Sequence, residues 1–405
     1  MIVLGYTLAI LIALPALFYA GYLFLLTLAS FFGAKPRALA APLRFGIVVP
    51  AHNESAGIAG TVQSLLALDY PRDRFDVFVI ADNCSDDTAA VARAAGAKVL
   101  ERQNKDLRGK GYALTYAFDH LQVLGADKPD AAVVIDADTL VSKNLLRAFS
   151  AAFASGARAA QADYAVSNPN ASWRTRLMRI ALAMFHIVRS LGREALGVSC
   201  GLRGNGMAFS LSLLAEVPHA AFSVVEDLEY GIALGQRGYR VFYVHDAHVY
   251  GEMVPGEKAS RSQRERWERG RDAMKKKLGR TLLKAGLAER SLMLFDLAMD
   301  VLVPPLSRIA VLAVLALAGA AAAVYAFQLS FVALLPSLLA AFCLSTYVMR
   351  GWWLSGTGLR GLFDLAMAPA YVVWKLSLPL LRGKKAKKAD EEWVRTARKG
   401  ERAEN

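Results

Sequence analysis

From Ile2 to Ala34 the chain carries no charged side chain. At about 1.5 Å of rise per residue, such a run crosses a hydrocarbon core of roughly 30 Å with some tilt, so it predicts a membrane-spanning helix. Continuous apolar sequence returns from about Val301 to Met349, divided at Gln328 into Ile309–Phe327 and Leu329–Met349, and predicts two more spans. Between Arg44 and about Arg290 the pattern is different. Short apolar runs at Phe45–Val49, Asp76–Ile80, Ala97–Leu100 and Ala131–Ile135 alternate with helical periods at Ser55–Ala67, Asp86–Ala95 and Lys110–Leu124. That alternation predicts an α/β domain, and nearly all-apolar strands predict a parallel sheet covered on both faces.

Composition sharpens this division. Hydrophobic residues make up 55% of the 405-residue chain and charged ones 20%, with a mean hydropathy of +0.31. That is too polar for a bundle lying wholly in lipid and too apolar for a soluble enzyme or a disordered regulator. The net charge of +13 supplies membrane flanks and phosphate ligands; without an aromatic-interleaved basic face it does not point to nucleic acid. Lys35, Arg37 and Arg44 follow the first apolar run and place the next domain in the cytosol, while Arg350 returns the chain to that side. A cleaved signal peptide is the rival reading, opposed by the length of the run and the lack of a basic start. Three cysteines without a CxxC indicate neither a disulfide framework nor a structural zinc. The expected division is a span at 1–34, a cytosolic domain at 35–290, a membrane region at 291–382 and a basic tail at 383–405. Spans are expected near 303–327 and 329–349. Residues 361–381, with Asp364, Pro369, Lys375 and Pro379, read as an interfacial or re-entrant helix, the alternative being a fourth span. The localisation expected from this layout is a multi-pass protein of the inner, cytoplasmic membrane.

In open sheets of this kind ligands bind beyond the carboxyl ends of the strands. Polar residues cluster there: His52-Asn53-Glu54, the run Asp82 to Thr88, and Asp136-Ala137-Asp138. Two carboxylates at i and i+2 repel each other unless a cation joins them, so Asp136 and Asp138 predict Mg²⁺ or Mn²⁺ with a nucleotide diphosphate. The plainer alternative is a solvated turn. Arg108-Gly109-Lys110-Gly111 opens a helix and suits a diphosphate, or is simply a glycine turn. Asp82 is expected to bind base or ribose while Asp86 or Asp87 caps the following helix. Glu226-Asp227 begins a helix closed by Gly238, where acidic residues also merely complement the dipole. Gly201 to Gly206 is a glycine-rich polar loop, and Gln263 to Trp267 lies in a charged helical stretch. From Arg174 to Arg193 a helical projection separates Arg176, Arg179, His186, Arg189 and Arg193 from an apolar side, predicting a cationic helix on anionic lipid or against the sheet.

The order of these motifs resembles the membrane-integrated family 2 glycosyltransferases, the group that includes cellulose, chitin, hyaluronan and poly-N-acetylglucosamine synthases. The resemblance covers roughly Phe45 to Trp267 and implies a GT-A fold, a Rossmann-like mixed sheet. It implies donor contacts at Pro50, Ala51, Asn53, Glu54, Asp82, Lys110 and Asp136, and a metal at Asp136 and Asp138. It also implies a general base at Asp227 beside Glu226, a Q-x-x-R-W signature at Gln263, Arg266 and Trp267, and an acceptor site at Gly204, Asn205, Gly206 and Trp267. The acidic motif, commonly Thr-Glu-Asp in these synthases, is Val225-Glu226-Asp227 here. The activity expected from the resemblance is metal-dependent inverting transfer from a UDP-sugar to a growing β-linked polysaccharide, with a homo-oligomer or an export subunit as partner. The alternatives are a glycolipid synthase adding one sugar to a membrane lipid, and a non-catalytic scaffold.

Overall fold

The computed structural model describes residues 1–34, 37–38, 40–168, 172–251 and 257–368, and for 257–267 the backbone alone. The chain divides into two compact units: Met1–Ala34, Arg176–Gly197 and Met299–Arg382 form a helical unit, and the rest forms a sheet unit.

Among the described residues, the sheet unit contains eight strands: β1 (Phe45–Ala51), β2 (Phe75–Asp82), β3 (Lys98–Arg102), β4 (Ala131–Val134), β5 (Thr139–Val141), β6 (Ala159–Val166), β7 (Met207–Ser210) and β8 (Val241–Gly251). Their order is β3-β2-β1-β4-β7-β6-β8-β5. The first four are parallel, in register from Phe45 against Phe75 and Ala131. Beyond β4 the directions mix, since β7 runs antiparallel to β4 and β6, and β5 antiparallel to β8. This is the expected mixed α/β GT-A fold. Every residue of β1 is buried, as a central strand with helices on both faces requires. Ile47, Val49, Val77 and Val133 pack with Ile58, Val62, Leu65, Leu145 and Phe149 on one face. On the other, Gly46 leaves room for the helix Lys110–Gln122: a Cβ there would lie 2.9 Å from Leu121. Pairing of Val134 with Met207 brings the loop ahead of β7 to the carboxyl end of β4. The topology therefore joins motifs about 70 residues apart along the chain.

Among the described residues, the helical unit holds three helices long and apolar enough to cross a membrane: Ile2–Ala29, Leu306–Phe327 and Phe331–Ser355. Small residues make their packing possible. Ala9, Ala13, Ala16 and Ala20 on the first and Ala313, Ala316, Ala320 and Ala323 on the second lie on the buried faces, while Val314, Leu315, Leu338 and Phe342 are exposed. Such spacing lets backbones approach closely in lipid. Gln328, with φ 51°, turns the chain between the second and third helices.

The cationic helix differs from both sequence expectations. Its two regular segments, Trp173–Leu182 and Arg189–Leu196, are joined by a widened turn at Ala183–Val188. From Arg176 onward it belongs to the helical unit, packed so closely that a Cβ on Gly192 would lie 2.4 Å from the Leu26 carbonyl oxygen. Its arginines face inward because carboxylates and phenols meet them there: Arg176 Nε donates to Asp364 at 2.5 Å, Arg189 Nε to Tyr347 at 3.0 Å, and Arg193 Nη2 to Asp300 at 2.9 Å and Tyr22 at 3.0 Å. Of the 361–381 segment, Gly358–Leu365 begins as helix; the part beyond 368 and the basic tail lie outside the described residues.

Candidate active site

The first two strand ends interlock. His52 Nδ1 lies 2.8 Å from the Asp82 carbonyl oxygen, Asn53 Oδ1 accepts from Ser85 N at 2.8 Å, and Glu54 N donates to Thr88 Oγ1 at 2.8 Å. Asn53 and Asn83 adopt φ of 55° and 53°, a left-handed turn that asparagine tolerates better than most residues. Pro50 and Ala51 finish β1 beneath this turn. Asp86 accepts from Thr88 N at 3.0 Å and Ser55 N at 3.1 Å, so it is the capping carboxylate. Asp82 is only 1% exposed; its Oδ1 pairs with Arg102 Nη1 at 2.6 Å, and its buried Oδ2 has no hydrogen-bond partner. A buried carboxylate oxygen left unmatched is costly, and a donor group on a bound ligand would relieve it.

Lys110 gathers the other acidic groups. Gly109 precedes it at φ 121°, ψ 161°, a conformation that glycine reaches without a Cβ clash. Lys110 Nζ lies 2.5 Å from Asp136 Oδ1, donates to the Gly204 carbonyl at 2.6 Å and stands 3.7 Å from Glu226 Oε1. A Cβ built on Gly204 would be 3.4 Å from Asp227 Oδ2 and 3.7 Å from Lys110 Nζ. Lys110, Asp136, Gly204, Glu226 and Asp227 thus meet. Burial alone would lower the Lys110 pKa, but Asp136, Glu226 and Asp227 reverse that and keep it charged. Behind Glu226 and Asp227 stands an apolar wall of Leu114, Phe118, Leu202, Met207, Phe209 and Tyr230. Burial pushes the Asp227 carboxyl above its usual range, against the Leu228 N–H, Lys110, Arg203 and Arg271. Glu226 is also raised by burial, against Lys110, with Asp227 adding to the rise.

The same wall contains His219, whose Nδ1 lies 2.9 Å from Thr115 Oγ1 and whose ring packs on Phe118 and Tyr230. Burial pushes its pKa down to about 4. An unfolded chain protonates its histidine near 6.5, so between pH 6.5 and 4 the unfolded state binds the extra proton and stability falls with pH, by about 3 kcal/mol at most. Glu226, raised by burial, works in the opposite sense, so the comparison must be with a variant. Purified protein is expected to lose more thermal stability between pH 7.5 and 5 than His219→Gln does; equal losses would remove His219 as the cause.

Of the loop ahead of β7, expected to serve the acceptor, only part is open to solvent. Gly204 is partly exposed, but Asn205 is 0% exposed and Gly206 is buried. Asn205 Oδ1 accepts from Asp136 N at 3.1 Å and its Nδ2 donates to Thr139 Oγ1 at 2.8 Å, so the side chain clamps both ends of the Asp136–Thr139 turn. Gln161 supports the clamp through the Asn205 carbonyl at 2.7 Å, and Tyr164 bonds to the Asn205 side chain. Sequence reasoning missed Thr139, Gln161 and Tyr164; a glutamine among the alanines of β6 was the available signal. The acidic pair itself sits on a tight turn, closed by Thr139 N to the Asp136 carbonyl at 3.2 Å. Gln263, Arg266 and Trp267 lie on the helix Glu257–Ala288, with side chains outside the described residues.

The family model for "Glycosyltransferase like family 2" matches residues 42–270. The chain belongs to this family. Among similar proteins, a beta-monoglucosyldiacylglycerol synthase of Synechocystis sp. is 32% identical over 231 residues, 55% of this chain and 47% of that protein. A second, from Trichormus variabilis, is 31% identical over 166 residues, 40% of this chain and 34% of that protein. The chain therefore spans about half the length, or less, of these curated relatives. Among solved structures, the mannosyltransferase PcManGT of Pyrobaculum calidifontis, in complex with GDP-Man and Mn²⁺, aligns at 19% identity with a TM-score of 0.49, over 86% of this chain and 99% of that one.

For this member of the family, the donor set fits a hard divalent cation. Among the described residues no group of three His, Cys, Asp or Glu side chains could hold a metal. Mg²⁺ and Mn²⁺ do not need one, since one or two carboxylates suffice when phosphate oxygens and water complete the shell. Asp138 presents an exposed carboxylate and Asp136 a partly buried one on the clamped turn.

Proposed function

We propose that the chain transfers one sugar from a nucleoside-diphosphate donor to the hydroxyl of a diacylglycerol-type membrane lipid, with inversion at the sugar carbon. The relatives named beta-monoglucosyldiacylglycerol synthase favour this reading over the polysaccharide synthesis expected from motif order, and with it the export partner drops out. Three apolar helices give the protein access to such an acceptor. The chemistry rests on one observation: Asp227, partly exposed against an apolar wall, faces Gly204 beside the Lys110–Asp136 pair.

Asp82, with its unmatched Oδ2, accepts from the donor's base or ribose. Lys110 offers fixed positive charge where the departing diphosphate gains negative charge. Asp227 takes the proton of the attacking hydroxyl. A divalent cation held by Asp136 and Asp138 would supply further charge neutralisation at the diphosphate. Arg266 of the Q-x-x-R-W signature is assigned to the departing diphosphate, and Trp267 keeps the acceptor role that the family resemblance implies.

The test offers the purified chain labelled UDP-glucose, UDP-N-acetylglucosamine, UDP-galactose and GDP-mannose, each with Mg²⁺ or Mn²⁺, with and without diacylglycerol. A lipid carrying one sugar is expected. Polymer formed without lipid would return the polysaccharide reading. The clamp adds a second expectation. Thr139→Val removes the Asn205 Nδ2 partner at constant shape, so Mn²⁺ affinity in the presence of UDP should fall about tenfold, with a stability loss of about 1–3 kcal/mol from the buried donor left unmatched. Thr139→Ser should restore the affinity; Mn²⁺ titrations followed by electron paramagnetic resonance decide, and equal affinities would reduce the clamp to a packing feature.

A further inference from the structure

Large apolar side chains stand exposed on either side of the acidic cluster, and no step of the transfer uses them. Leu107 precedes Lys110 by three residues and Val224 precedes Asp227 by three, each 44% exposed; Phe222 and Tyr116 are also exposed. The two segments that carry them touch. The Gly111 Cα lies so near the Ala221 carbonyl oxygen that a Cβ would come within 2.1 Å, and the Tyr112 and Phe222 rings stack 4.2 Å apart at 13°. The Tyr112–Phe222 stack thus joins the segment that leads into Asp227 to the helix that Lys110 opens, with Leu107, Phe222 and Val224 exposed along the two. Exposed apolar patches beside a polar site are costly in water and mark a contact surface.

We propose that these exposed side chains form a rim that binds the acyl chains of the acceptor lipid, a refinement that rests on the glycolipid reading above. Asp227 must receive a hydroxyl, and a diacylglycerol is apolar almost everywhere else. When its hydroxyl reaches Asp227, its glycerol ester and proximal methylenes lie on the surface around the approach. That surface carries Leu107, Val224 and Phe222. Water-soluble acceptors gain nothing from such residues, whereas each methylene covered on a lipid contributes to binding.

The experiment uses the full chain in mixed micelles, with diacylglycerols of six-carbon and sixteen-carbon acyl chains as acceptors and variants Leu107→Ser and Val224→Ser, both at exposed positions. For the wild-type chain, the surface concentration of acceptor giving half-maximal rate should be lower for the longer lipid. Each variant should raise that value about tenfold for the sixteen-carbon lipid and less than threefold for the six-carbon one, with the KM for the nucleotide sugar unchanged. Equal values for variant and wild type on an active enzyme would overturn the acyl-binding rim alone. So would a change in oligomeric state with the lipid dependence intact, since the rim would then serve a second copy. A wild-type chain that glycosylates no diacylglycerol overturns the glycolipid reading and the rim together.

Discussion

Asp227→Asn should reduce sugar transfer about a thousandfold while the affinity for UDP stays within about twofold. The amide has the same shape and keeps an oxygen to accept from Leu228 N, as Oδ1 now does at 2.8 Å. What it loses is the capacity to take a proton. Lys110 retains Asp136 and Glu226, so the charge that faces the diphosphate remains in place. Turnover with a lipid acceptor and UDP titration measure the two halves separately; a variant within tenfold of normal turnover would move the base elsewhere, with Glu226→Gln the next substitution to make. The direction of the pH response follows from burial. Only the ionised carboxylate is a base, so activity falls as pH drops through the Asp227 pKa. Because burial raises that pKa, the acid limb of kcat/KM should lie above the ordinary aspartate value of about 3.9. Stability moves the other way. A carboxyl whose folded pKa is raised favours the folded state below its unfolded pKa, and loses that benefit as pH rises through the folded value. Asp227→Asn should therefore be neutral or stabilising at pH 7.5, a pairing of lost activity with undiminished stability that a merely structural aspartate would not give.

The parallel half of the sheet was legible because apolar runs of five or so residues can hardly be anything but buried strands when Gly, Asx and charged segments punctuate them. Phe45–Val49 and Asp76–Ile80 were within two residues of β1 and β2 at each end. The mixed half was not. β5 has three residues, β7 four, and β6 carries Gln161 and Asp163 in its interior, so no local period marks them. Of the site, the meeting of Lys110, Asp136, Glu226 and Asp227 followed from motif order and strand ends. The work of Asn205 did not. In sequence it stands between two glycines and reads as a flexible loop; only the antiparallel pairing of β4 with β7 buries it beside Asp136. A helical projection was misleading for a related reason. It separates cationic from apolar positions correctly, but which side faces water depends on a counter-charge, and the partner of Arg193 is 107 residues away.

That partner sets the largest stability effect expected in the helical unit. Asp300 is 3% exposed, with Arg193 Nη2 at 2.9 Å and Arg189 Nη1 at 3.7 Å. Asp300→Leu leaves the guanidinium groups of Arg189 and Arg193, residues 5% and 1% exposed, without this carboxylate in a place where water cannot replace it. Hydrogen bonds to Tyr347 and Tyr22 persist but do not neutralise charge. Breaking a buried pair from one side costs about 3–5 kcal/mol, because the ion left behind has already lost its hydration. Arg193→Leu should cost less, since Asp300 then keeps Arg189 nearby. The double variant Arg193→Leu, Asp300→Leu should recover part of the loss, and the non-additivity measures the coupling. Unfolding of the four proteins in mixed micelles as denaturing detergent is increased provides the cycle. If Asp300→Leu stays within about 1 kcal/mol of the parent, the arginines have other means of compensation and the pair is not what holds the cationic helix in its unit.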